Sequence, residues 1–296
     1  MRSTRKIACR ISSRSLCGLK EGRTISKQQL ELPDYGRLGY QIYGAGERTV
    51  LLLHGLVGSS WLGDSWISAI VENKVRCIVP ERPGYGDSSA IELRSVADWM
   101  PIIRAFVQKL ELNAADVIGC SAGGPYAYAT ALALPDVIKT VYILDGVPAV
   151  YEARVLRHYS ERDKAAYKDF SEQPQSAVQR YYVQQMEAAK KRLENTDLGY
   201  VKNALDEVLA QRCFGVAQES RLQILPWELP LADLEQKVVL FHARADEMVP
   251  YEAAKEMPGF LTNCEFRDLE LPTLAPGESA HMTAISEAFC RILAGT

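Results

Sequence analysis

The stretch VIGCSAGGPYAYATALAL, residues 117–134, decides how the rest of the chain is read. A short apolar run meets a knot of small residues, with Ser121 between Gly119 and Gly123. A long apolar segment follows. Pro125 stands near its start, where the first helical turn has no partner for an N–H. G-x-S-x-G between a strand and a helix is the pattern of a serine at the tip of a sharp turn. Such a turn strains the backbone toward positive φ. The residues two before and two after the serine nearly touch there, so they must lack bulk, and both are glycine. The competing glycine pattern, G-x-G-x-x-G for a dinucleotide, needs glycine where Ser121 stands, and no other segment supplies it.

Outward from this turn, short apolar strands alternate with helices. The strands are RLGYQIYG (37–44), RTVLLLHG (48–55), VRCIVP (75–80), ADVIGC (115–120), IKTVYILDG (138–146), KVVLFHARAD (237–246) and NCEFRDLEL (263–271). Helical spacing fills 61–71, 95–112, 124–134 and 282–293, with Ser95 and Asp98 as a capping signal for the second. This alternation predicts an α/β fold, a mostly parallel sheet covered on both faces. Residues 147–232 break the rhythm with charged helical segments and no strand pattern. The chain therefore divides into a basic tail (1–29), an α/β core (30–146 and 233–296) and an inserted helical cap (147–232).

The bulk numbers set wide bounds. The 296 residues are 47% hydrophobic and 24% charged, and the formal charge is −3. That balance gives no reason to expect nucleic acid as a partner, and no apolar run is long enough to span a membrane. The seven cysteines show no metal-ligand spacing, so no metal or cofactor is expected. Their scattered, odd number points to a reducing, cytoplasmic setting. The first twenty residues carry Arg2, Arg5, Lys6, Arg10, Arg14 and Lys20, many serines and no acid. That composition suits a solvated tail and also a mitochondrial transit segment.

Serine becomes a nucleophile only when a base takes its proton. Four histidines are available: His54, His158, His242 and His281. His158 lies in the helical insertion. His54 ends an early strand, where its ring would support the loop. His242 ends a later strand and suits core or loop packing. His281, in GESAHMTA between the last strand and the last helix, is expected over the carboxyl ends of the strands, where α/β proteins build their sites. The base needs a carboxylate to orient it. Asp246, just past a buried strand, is the expected acid; Asp145, at the end of the preceding strand, is the alternative, and Glu247 is expected to be solvated. The oxyanion needs two N–H donors. Ala122, after the serine, and Leu56, after the LLLHG strand, are placed to give them.

With these residues in hand the chain resembles the α/β-hydrolase fold superfamily, in its serine-nucleophile branch with a helical cap, similar to esterases and lipases. LLLHGLVGSS, PERPGYGDSS, VIGCSAGGPYA, HARADEMVP and HMTA fall in that family's order. Haloalkane dehalogenases and epoxide hydrolases of the family use aspartate where Ser121 stands. Prolyl aminopeptidases usually carry Trp where Ala122 stands. The resemblance implies hydrolysis of a small or medium carboxylic ester, thioester or lactone through an acyl-enzyme, with a small acyl molecule as partner. An acyltransferase, a carbon–carbon bond hydrolase, a peptidase and a ligand receptor on the same scaffold are the alternatives. Tyr151, Tyr159, Tyr181 and Tyr182 of the cap are candidate pocket residues, with Trp61 and Tyr126 behind them.

Overall fold

A computed structural model describes residues 27–194, 196 and 198–295. Most of the expected basic tail, residues 1–26, lies outside the described residues. The chain runs β1 (Gln28–Leu32), β2 (Gly36–Tyr43), β3 (Arg48–Leu53), α1 (Asp64–Glu72), β4 (Val75–Pro80), α2 (Trp99–Lys109), β5 (Ala115–Cys120), α3 (Gly124–Ala133) and β6 (Ile138–Leu144). Five helices follow: α4 (Ala153–Leu156), α5 (Glu161–Glu172), α6 (Gln175–Leu193), α7 (Gly199–Ala210) and α8 (Phe214–Leu222). The chain then closes with β7 (Lys237–Ala243), α9 (Tyr251–Ala254), β8 (Cys264–Leu269) and α10 (Ala280–Ala294).

The strands form one sheet in the order β1-β2-β4-β3-β5-β6-β7-β8. β1 and β2 join antiparallel, and every pairing from β4 to β8 is parallel. The central strands are apolar along their length because both faces are covered. In β3, Leu51 and Leu53 face the core built with α2 and α3, while Val50 and Leu52 face the one built with α1 and α10. This is the two-residue alternation of a strand. α2 buries Trp99, Ile102, Ile103, Phe106 and Val107, a single stripe at helical spacing. α3 is buried nearly all round, which its alanines and Gly124 permit on the middle of the sheet. On the other face Trp66 stacks on Phe289 at 4.1 Å.

Two of the boundaries that differ from expectation are at β1 and α2. β1 begins at Gln28, so residues 28 and 29 are edge strand rather than tail; the polar QQLEL carries little strand signal of its own and is held by pairing with β2. The expected 95–112 helix opens as a short 3-10 turn at Val96–Asp98, with Pro101 in the first turn of α2. There the Asp98 carboxylate accepts the backbone N–H groups of Arg94 (2.7 Å) and Ser95 (3.4 Å). Among the described residues no helix is long and apolar enough to cross a membrane.

The parallel register sets the site. Leu53 pairs with Gly119, Cys120 with Leu144, and Leu144 with Phe241. The residues that follow these strands, His54, Ser121, Asp145 and the 244–247 turn, therefore line one edge of the sheet.

Candidate active site

Ser121 follows β5 directly and has φ +50°, the only residue of its turn outside the right-handed or extended regions. A short 3-10 turn, Ser121–Gly123, leads into α3. A Cβ on Gly123 would lie 2.3 Å from the Leu53 carbonyl oxygen and 2.8 Å from that of His54; one on Gly119 would lie 2.7 Å from the Gly123 carbonyl oxygen. The glycines thus let the turn press against the neighbouring strand. Because these neighbours are backbone atoms, they cannot swing aside. Gly123→Ala is expected to cost about 3 kcal/mol of stability. Urea denaturation measures it, and a loss well under ~1 kcal/mol would show that the turn tolerates bulk.

His281 is not in a loop. It is the second residue of α10, which starts two residues earlier than the apolar spacing suggests. Ser279 caps the helix, its Oγ accepting the Met282 N–H at 3.3 Å. Glu247 accounts for the rest. Expected to be solvated, it instead accepts the His281 backbone N–H at 3.2 Å and a hydrogen bond from the Ser279 hydroxyl. A carboxylate at a helix N-terminus is favoured by the free N–H groups there. Slight burial would raise the Glu247 carboxyl, but the Ser279 and backbone hydrogen bonds hold it below its ordinary value.

The His281 and Asp246 side chains meet. Nδ1 of His281 lies 2.7 Å from Oδ2 of Asp246, and both side chains are almost fully buried. Oδ1 of Asp246 accepts the backbone N–H groups of Met248 (2.7 Å) and Val249 (3.0 Å). Burial alone would raise the Asp246 carboxyl. The hydrogen bond and charge of His281 and the two backbone donors outweigh it and leave the group below its ordinary value. An ionised Asp246 requires the proton on Nδ1, which leaves Nε2 with its lone pair. Among the described residues the Ser121 hydroxyl makes no hydrogen bond, to His281 or to any other group. Serine–base contacts often tighten only with substrate present.

Asp145 is fully buried at the end of β6, with Oδ1 accepting the Ala243 N–H at 3.0 Å and Oδ2 unpartnered. It does not touch His281. Its nearest imidazole is His242, at 3.8 Å, and the same His242 Nε2 lies 3.5 Å from Asp246 and 3.0 Å from the Val249 carbonyl oxygen. Donor atoms of Asp145, His242 and Asp246 fall within 4.8 Å of one another, a spacing that could hold a metal ion. The His242 nitrogen must carry a proton to serve Val249, however, and Asp246 is already committed to His281 and two backbone donors. The donor set fits a hydrogen-bonded network better than a metal centre.

The loop after β3 runs beside the serine: a Cβ on Gly55 would lie 3.6 Å from that of Ser121. His54 is buried, which holds its pKa well below the ordinary value, and the Arg82 charge adds to this. Nδ1 of the neutral ring donates to the Gly55 carbonyl (2.8 Å), while Nε2 faces the Arg82 backbone N–H (3.5 Å). In a trans peptide the N–H points away from the C=O. Fixing the Gly55 carbonyl therefore aims the Leu56 N–H the other way. The Ala122 N–H opens the 3-10 turn and has no intrahelical partner.

The helices between β6 and β7 place the expected pocket tyrosines differently. Tyr159 is buried in a cluster with Val150, Val155 and Ala253, and its phenol is pushed up by burial, by Tyr167 and by the Asp246 charge. Tyr182 packs in the cluster that includes Leu56. Tyr151 lies edge-on to Trp227, and Tyr181 is exposed. Trp61 donates to Glu207 of α7 at 2.7 Å, and Tyr126 lies under the Arg82 guanidinium at 4.8 Å. His158 pairs with Glu256 at the surface.

Known proteins agree with this architecture. Residues 48–273 match the family model for the alpha/beta hydrolase fold. A haloalkane dehalogenase, DbeA from Bradyrhizobium elkani, superposes with a TM-score of 0.69 at 18% identity, covering 92% of this chain and 97% of its own. An esterase, EaEST from Exiguobacterium antarcticum, gives 0.67 at 16% identity, covering 91% and 98%. In sequence, an uncharacterized hydrolase, YcgS from Bacillus subtilis, is 30% identical over 114 residues. That match spans 38% of this chain and 39% of the relative's length. With the family model covering most of the chain, the protein belongs to the alpha/beta hydrolase fold family.

Proposed function

We propose that the chain is a serine hydrolase that cleaves a small or medium carboxylic ester, thioester or lactone through an acyl-enzyme. The observation that carries this reading is the 2.7 Å contact between His281 Nδ1 and Asp246, across the sheet edge from a serine held at φ +50°. Ser121 Oγ attacks the carbonyl carbon and passes its proton to His281 Nε2. The oxyanion is stabilised by the N–H groups of Leu56 and Ala122. On collapse the C–O or C–S bond of the leaving group breaks, and His281 returns the proton to it. Water, deprotonated by His281, then attacks the acyl-enzyme and releases the acid and Ser121. Asp246 keeps the ring in the right tautomer throughout. Helices α4–α8 act as the cap over the pocket, with Tyr159 and Tyr182 facing the substrate.

A fluorophosphonate probe is expected to modify Ser121 and no other residue. p-Nitrophenyl esters of graded chain length, with a set of simple lactones, then define the acyl preference. A folded protein that neither takes the probe nor turns over any ester or lactone would sink the hydrolase reading. It would favour a receptor on the same scaffold instead.

A further inference from the structure

The oxyanion loop is held by a side chain that belongs to neither the loop nor the triad. Glu219 of α8 is 1% exposed and receives Arg82 through both Nε and Nη2, the latter at 2.8 Å. Tyr85 OH lies 2.9 Å from the same carboxylate. Each of these partners also touches the loop. The second hydrogen of Arg82 Nη2 reaches the Gly55 carbonyl oxygen at 3.4 Å, and Tyr85 OH lies 2.7 Å from that of Leu56. Tyr85 has one hydroxyl proton and two acceptors beside it, the Leu56 carbonyl and Glu219, so the place of its oxygen answers to both. The carbonyls before and after the Leu56 N–H are thus both tied, through one further residue, to Glu219.

α8 is itself anchored to the segment that carries Arg82 and Tyr85. Gly215 N–H donates to the Gly84 carbonyl (3.2 Å), and Gln218 accepts the Leu93 N–H (2.8 Å) and donates to the Ile91 carbonyl (3.2 Å). Gly84 has φ +80°, and its missing side chain admits Phe214 and Gly215. Leu56 packs in the same apolar cluster as Tyr85, Val208, Cys213 and Val216. We propose that Glu219 is a positioning residue for the oxyanion hole: by orienting Arg82 and Tyr85 it fixes the two peptide planes on either side of the Leu56 Cα, the first of which carries the Leu56 N–H. Correct seating of α8 and assembly of the oxyanion hole are then one event. This rests on the reading of Ser121 and Leu56 given under the proposed function.

Two variants test it in the full chain, Glu219→Gln and Tyr85→Phe. The second removes one hydroxyl, leaves the Arg82–Glu219 pair intact, and decides the matter if the first fails to fold. The readouts are kcat and KM for p-nitrophenyl butyrate, and Ki for a phenyl trifluoromethyl ketone, which forms an oxyanion on the serine. Misplacing a donor acts on the transition state. In each folded variant kcat is expected to fall ~10- to 100-fold at unchanged KM, and Ki to rise by a matching factor. A merely structural role would lower Tm without moving kcat and Ki together. Folded Tyr85→Phe with kcat and Ki within about twofold of wild type overturns the proposal. A wild-type protein that resists the fluorophosphonate and leaves the ester intact instead overturns the hydrolase reading.

Discussion

Replacing Ser121 with alanine is expected to lower kcat by about 10⁶, the scale seen when a triad nucleophile is removed. The fold should not notice. The Ser121 hydroxyl has no hydrogen-bond partner among the described residues, so its loss strands no polar group. Alanine meets the same strain at φ +50° that serine does. Stability is therefore expected to change by less than about 1 kcal/mol. The residual rate should remain ~10³-fold above the uncatalysed reaction, since the oxyanion donors and the pocket survive. Steady-state hydrolysis of p-nitrophenyl butyrate, with thermal denaturation alongside, measures both. A loss of only ~10-fold would remove Ser121 from the role of nucleophile.

The turn at Ser121 is legible in the sequence because everything that defines it is local. Gly119, Gly123 and Pro125 are within four residues of it, and each is dictated by sterics that operate at that range. The turn at Asp246 is legible for a similar reason: it follows the end of a buried strand, and the Asp246 Oδ1 is held by N–H groups two and three residues on. Elimination among four histidines points to His281, but its place on a helix is not legible locally. What fixes the start of α10 around it includes Glu247, 34 residues earlier in the chain. A carboxylate that caps a helix from another element looks, in sequence, like any exposed acid.

The residues behind the loop after β3 are the least legible. ERPGYGDSS reads as turn chemistry, and nothing in it says that Arg82 is fully buried. Glu219 sits in a helix rich in polar residues, where an acid ordinarily marks the solvated face. Burying it against Arg82 follows from seating α8 on Gly84, a tertiary event without local signature. The same applies to β1, whose five residues become a strand only because β2 offers them an edge.

Asp246→Asn is expected to lower kcat by about 10⁴, and the backbone around it says why so small a change costs so much. The N–H groups of Met248 and Val249 both point at one oxygen of this side chain. An asparagine must keep its carbonyl oxygen there, so its NH₂ faces His281. Nδ1 must then accept rather than donate, the ring proton moves to Nε2, and no lone pair is left for the Ser121 proton. The variant should also lose stability in a pH-dependent way. The folded-state pKa of Asp246 lies below the ordinary carboxylate value, so its contribution is present above that value and fades as pH falls through the folded pKa. Wild type and variant should therefore converge in Tm on acidification. Asp145→Asn supplies the opposite sign. Burial raises the Asp145 carboxyl, the Ala243 N–H opposes the shift, and the neighbouring Asp246 charge adds to it. A raised carboxyl favours the folded state below its unfolded pKa, and that advantage is lost as pH rises through the folded pKa. Asparagine keeps the acceptor for Ala243 and has no charge to desolvate. Its Tm relative to wild type should climb from about pH 5 to about pH 9, with kcat retained within about threefold. If Asp145→Asn, and not Asp246→Asn, is the variant that stops turnover, the acid of the triad is at the end of β6 and the 2.7 Å contact to His281 is not the catalytic one.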